Sequence, residues 1–147
     1  MRRRAAASML AIPLFIFDAW GAEAGPPSTD EIAVRAVVQG YFDGMMEGSP
    51  EKLRGAFHPE AYLIGQGRTG QITRIPFERW CAGMSRAMEN PKAYRNEIAA
   101  VDISGNAAMV KTVLTWPTVK YVDYLSLLKD GEGNWQIVNK IWDASRP

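Results

Sequence analysis

Residues 119–142 read VKYVDYLSLLKDGEGNWQIVNKIW. Asp130-Gly131-Glu132-Gly133 supplies the turn residues of a hairpin, and the flanking stretches, Val119–Lys129 and Asn134–Trp142, have the aromatic and branched content of strands. In the first stretch Val119, Tyr121, Leu125 and Leu127 share one parity, while Val122, Tyr124 and Leu128 share the other. An antiparallel strand with one wet face alternates apolar with polar residues. Here both faces carry apolar side chains. One face is therefore expected to cover helices and a pocket, and the other to meet a second subunit.

Working outward, two more strands precede this pair. Tyr94–Ile103 and Ala107–Trp116 are joined by Ser104-Gly105-Asn106, and Trp116-Pro117-Thr118 connects the second to Val119. Ahead of them the period changes. Ser28 followed by Glu31 forms a capping box, after which Val34, Val37, Val38, Tyr41, Phe42 and Met45 recur at helical spacing until Gly48. Ser49-Pro50 restarts a short helix through Leu53 and Phe57 that Pro59 is expected to stop. Short strands follow at Ala61–Gly65 and Gln71–Ile75, then a third helix from Pro76 whose Phe77, Trp80, Cys81, Met84 and Met88 share a face up to Asn90-Pro91. Helix, helix, strand, strand, helix and four strands give an α+β domain with helices on one face of an antiparallel sheet.

The chain of 147 residues is long enough for one domain, and its 47% hydrophobic and 22% charged residues are those of a globular protein. Cys81 and His58 are single occurrences, which excludes a Cys/His zinc site and an internal disulfide; no metal or cofactor is expected. Seventeen basic against sixteen acidic side chains leave no field for nucleic acid. Residues 1–24 read as a signal peptide: Arg2, Arg3 and Arg4, then an apolar run Met9–Phe17, then Ala22-Glu23-Ala24. That run is too short to span a bilayer, so no membrane association is expected after cleavage. Residues 25–28 form a linker and 29–147 the domain, with 14 basic and 14 acidic residues after cleavage. The expected location is periplasmic or secreted.

Three motifs match in letters and fail in context. Gly65-Gln66-Gly67-Arg68-Thr69-Gly70 spells G-x-G-x-x-G, but Gln71–Ile75 alternates like a strand where a dinucleotide site needs a helix. Ser49-Pro50-Glu51-Lys52 lacks the partner motifs of serine acyltransferases, and His58-Pro59-Glu60 lacks the cysteines of zinc deaminases.

Four stretches resemble the putative lumazine-binding branch of the nuclear transport factor 2-like superfamily, which includes SnoaL-like proteins and ketosteroid isomerases. They are Val38–Gly44, Ala56–Ala61, Asp123–Lys129 and Asn134–Lys140. The resemblance covers about residues 29–143. It implies a cone-shaped curved antiparallel sheet wrapped by three helices, a cystatin-like roll with an internal pocket, commonly dimeric. It also implies that Tyr41 stands where the isomerases place an oxyanion-hole tyrosine and that Asp123 lies near their second acidic donor. Their general base would fall at Leu63-Ile64-Gly65, where this chain has no acid.

The candidate acid–base residues are Tyr41, His58 and Asp123, and the candidate ligand contacts are Tyr41, Trp80, Trp116, Asp123, Lys140 and Trp142. Each has a plainer alternative: Tyr41 and the tryptophans as core, Asp123 as the buried partner of Lys140, His58 as a helix-end residue. The expected function is that of an exported, homodimeric protein binding an unidentified small, partly aromatic or apolar molecule. An isomerase, dehydratase or cyclase using the same pocket, or a filled, non-catalytic interaction domain, are the alternatives.

Overall fold

Ser28, in extended conformation, accepts a hydrogen bond from the Glu31 N–H at 3.1 Å and opens α1, Thr29–Glu47. A computed structural model describes residues 25–67 and 69–146, so the signal-peptide expectation for residues 1–24 lies outside the described residues. Gly48 closes α1 at φ 62°, a left-handed conformation. A Cβ there would stand 2.2 Å from the Arg86 carbonyl carbon, so glycine is required twice over. Ser49 caps α2, Pro50–Ala56, with proline in its first turn. Then come β1, Phe57–Gln66; β2, Ile72–Pro76; α3, Phe77–Ala82; a 3-10 turn at Pro91–Ala93; and β3, Arg95–Ser104. The chain ends with β4, Ala107–Trp116; β5, Val119–Lys129; and β6, Trp135–Ser145.

The six strands form one sheet in the order β2-β1-β6-β5-β4-β3. β3 to β6 make an antiparallel meander, and the β1–β2 hairpin joins it through β1 against β6, in parallel. The expected wholly antiparallel sheet is corrected at that one pairing. The β1–β6 contact joins the two ends of the domain, and local periodicity carries no information on the direction of such a pair. β1 also starts earlier than expected. Pro59 does not end a helix; it lies within β1 where pairing with β6 is interrupted between Phe57 and Tyr62, a place where a missing N–H costs no ladder bond. His58 accordingly lies on a strand and not at a helix end.

α3 is six residues long, shorter than the apolar spacing implied. Gly83 follows it, and the segment beyond is a loop tied to α1 by a hydrogen bond from Met88 N–H to the Met46 carbonyl at 2.9 Å. Met84 and Met88 still turn inward, from irregular backbone.

The core lies between the helices and the concave face of the sheet. Val34, Val38, Tyr41, Phe42 and Met45 of α1 meet Leu63, Val110, Leu114, Leu125, Leu127 and Ile137, all nearly or fully buried. Phe57 and Phe77 stack with ring centroids 4.8 Å apart, fixing α3 on β1.

One irregularity decides what the pocket receives. Leu127 pairs with Ile137 but Ser126 pairs with Asn139, so Val138 is an extra residue, a β-bulge. Trp135 and Ile137 face inward at odd positions; after the bulge the inward residue is Lys140, at an even one. Strict alternation from Trp135 would have turned Lys140 to the outside.

Gly48→Ala should lower stability by about 2 kcal/mol or more, because the left-handed conformation and the contact with the Arg86–Ala87 backbone both oppose a side chain. Urea unfolding would register it as a lower midpoint at unchanged slope.

Candidate functional site

Three polar side chains from three elements meet inside the cone. Tyr41 is carried by the apolar stripe of α1, Asp123 by β5, and Lys140 by β6 beyond the bulge. The Tyr41 hydroxyl donates to Asp123 Oδ2 at 2.8 Å. Lys140 Nζ donates to the Tyr41 hydroxyl oxygen at 2.6 Å and to Asp123 Oδ2 at 2.9 Å. Tyr41 and Asp123 are fully buried and Lys140 is 7% exposed.

Removing an ammonium and a carboxylate from water costs several kcal/mol each, and only close pairing with further hydrogen bonds offsets it. The phenol supplies the further bonds by accepting from the cation and donating to the anion. Burial, reinforced by the Asp123 charge, holds the Tyr41 phenol well above its ordinary titration range. Burial pulls the Lys140 ammonium below its ordinary value, against the opposing pull of Asp123. Asp123 Oδ1 and the hydroxyl of Thr112, opposite Asp123 on β4, have no hydrogen-bond partner among the described residues.

A cavity of about 330 Å³ opens beside this triad. Tyr41, Trp80, Trp116, Lys140 and Trp142 line it, together with Met45, Leu63, Ile75, Met84, Met88, Leu114 and Tyr121. Among the described residues Lys140 is the single charged group of these walls, with its Nζ 5.8 Å from the Trp80 ring centroid. Trp116 is held by edge contacts with Tyr94 and Tyr121, ring centroids at 5.4 and 5.1 Å, and by donating its indole N–H to Asn96 Oδ1 at 3.0 Å. Trp142 lies against Gly65: a Cβ at that glycine would be 2.2 Å from the indole. The position at which an isomerase-like base was sought is thus backbone under an aromatic ring.

Of the residues singled out in the sequence, Tyr41, Trp80, Trp116, Lys140 and Trp142 converge on the cavity. Asp123 stands behind Tyr41 and Lys140 and does not line it. His58 is not brought to the cavity; its Nδ1 accepts a hydrogen bond from the Glu60 N–H at 3.2 Å in the first part of β1. Its proposed acid–base role in this pocket therefore has no geometric basis. Tyr121, which shares parity with Asp123 on β5, and Met45, Met84 and Met88, which the sequence places only on apolar helix faces, also line the cavity. Cys81 is buried with its thiol pushed up by burial and its Sγ 3.6 Å from the Pro50 carbonyl oxygen, an unreactive setting. No group of three metal-ligating side chains, and no helix long and apolar enough to cross a membrane, occurs among the described residues.

Comparison with known proteins agrees with this architecture. The sequence profile of the family described as putative lumazine-binding matches residues 29–143. A Cladobotryum protein named aldolase FrzH is 31% identical over 123 residues, spanning 80% of this chain and 93% of that one. An NTF2-like protein of unknown function from Shewanella baltica superposes with TM-score 0.73 at 22% identity, over 83% of this chain and all of the other. Another from Silicibacter pomeroyi gives TM-score 0.70 at 25% identity, over 81% of this chain and all of that one.

Tyr41→Phe should cost about 1–3 kcal/mol of stability near neutrality, since both buried charges lose a partner. The raised phenol pKa sets the pH dependence. Above about pH 10 the unfolded chain loses the phenolic proton that the folded chain keeps, so the wild type loses stability there and the variant does not. The gap between the two should narrow as pH rises past that value, as thermal unfolding across a pH series would measure.

Proposed function

The chain belongs to the putative lumazine-binding family within the NTF2-like fold, and we propose that its conical cavity takes a small, flat, largely apolar carbonyl compound, with the carbonyl oxygen at Lys140. The observation that carries this reading is the isolation of one ammonium in an otherwise aromatic and aliphatic wall. An ammonium has three N–H groups, and two are used on Tyr41 and Asp123. The third is available for a ligand acceptor, and in a desolvated setting a charge-assisted bond contributes about 1.5–3 kcal/mol. The aromatic walls offer faces to a planar guest.

A donor at a carbonyl oxygen does more than bind. It draws electron density from the carbonyl and acidifies the adjacent C–H, the first requirement of isomerisation, enolisation and aldol-type reactions. The name of the FrzH relative, an aldolase, supports carbonyl chemistry of this kind for this chain. Lys140, Tyr41 and Asp123 then form the acid–base set, without His58.

The same proposal includes export and dimerisation. The basic, apolar and small-residue order of residues 1–24 supports cleavage after Ala24 and a periplasmic or secreted location. Met109, Tyr124, Leu128 and Ile141, between 42% and 50% exposed, form an apolar group on the outer face of β4, β5 and β6, the surface expected to meet a second copy.

Two measurements test these readings. Calorimetric titration of 2-acetylnaphthalene should give an affinity about tenfold or more above that of its alkene isostere, 2-isopropenylnaphthalene, the ratio that a bond of 1.5–3 kcal/mol produces. Equal affinities would remove the role given to Lys140. Sedimentation velocity should find a dimer that Tyr124→Lys with Ile141→Lys converts to monomer; a monomeric wild type would defeat the dimer.

A further inference from the structure

Resting on the carbonyl-binding reading and extending it, we infer that Lys140 is a covalent capture residue: its amine attacks the carbon of an aldehyde or ketone held in the cavity and retains it as an iminium. Two features of the geometry carry this. Lys140 lines the cavity, and its Nζ lies 4.9 and 5.8 Å from the ring centroids of Tyr41 and Trp80 in the same wall, so a carbonyl placed to accept its free N–H has its carbon next to the nitrogen. A proton acceptor stands on the far side, because Asp123 Oδ2 is 2.9 Å from Nζ and Asp123 Oδ1 keeps its lone pairs unengaged.

The step balances without any further reagent. The ammonium passes one proton to Asp123, and the freed lone pair forms the C–N bond while the carbonyl π pair moves to oxygen. That oxygen takes up the proton that Asp123 received; a second proton then leaves the nitrogen through the Asp123–Tyr41 pair to the carbinolamine hydroxyl, and the C–O bond breaks to release water as C=N forms. In sum, ammonium plus carbonyl gives iminium plus water. Nothing is oxidised or reduced, and the positive charge stays beside the Asp123 carboxylate that already balances it. The titratable groups bonded to Nζ are Tyr41 from α1 and Asp123 from β5, and Tyr121 of β5 lines the same cavity. Burial lowers the Lys140 pKa, which enlarges the free-amine fraction near neutrality. Lys52 and Lys129 are instead paired with Glu47 and Asp30 outside the cavity.

The test uses the full chain, 2-naphthaldehyde as probe and cyanoborohydride to fix any iminium as a stable amine. Quenching of tryptophan fluorescence, read without reductant, reports whether the probe occupies the cavity. Peptide mapping then locates the adduct. The expected result is quenching together with an adduct formed predominantly at Lys140, ahead of each other lysine, at neutral pH. Excess 2-isopropenylnaphthalene should suppress both. Quenching with adducts spread over Lys52, Lys92, Lys111, Lys120 and Lys129, and Lys140 left unmodified, would overturn covalent capture and leave the carbonyl pocket standing. Absence of both quenching and a Lys140 adduct would overturn the two together.

Discussion

A carboxylate and an ammonium cannot be taken out of water separately, and in this protein they come from different strands. Asp123 of β5 and Lys140 of β6 are stable inside the cone because they arrive together and because the Tyr41 hydroxyl of α1 bonds to both. The requirement reaches far through the structure. It fixes the rotation of α1 about its axis, since another face of the helix would bring an aliphatic side chain to two unsatisfied charges. It fixes the register of β5 on β6. It also demands the bulge at Val138, without which the inward faces of Trp135 and Lys140 are incompatible.

What could be read in the sequence follows the range of the interactions responsible. The caps Ser28, Gly48 and Ser49, and the bounds of β4 and β5, are set by neighbours a few residues away and were legible. The ion pair between Asp123 and Lys140 was legible as well, because a charge in an apolar strand calls for a partner on the next one. The parallel pairing of β1 with β6, the bulge and the strand around Pro59 depend on contacts between distant segments, which no local period records. α3 misled for a related reason. Met84 and Met88 repeat at helical spacing, yet they face inward because the cavity wall needs them there, from backbone that Gly83 has released from the helix.

The site itself was half legible. Residue types identified the polar centre but not its layering, in which Asp123 stands behind the two groups that reach the cavity. Gly65 illustrates the other half. In the sequence it is a missing acid; in the fold it is the clearance that lets Trp142 lie flat against β1 and form part of the wall. A ring has taken the place that a base would occupy, which leaves Lys140 as the one charged side chain of the wall among the described residues.

The walls of the cavity differ in stiffness. Tyr41 and Lys140 are locked with Asp123 by three mutual hydrogen bonds, whereas Met45, Met84 and Met88 contribute unbranched, polarizable chains, two of them from a loop. Methionine surfaces re-form around guests of different outline at little cost. On the proposed reading the chamber dictates the position of one heteroatom and is lenient about the remainder of the guest. Substitutions in the 84–88 loop then alter which skeleton fits while the Tyr41–Asp123–Lys140 bonds stay in place.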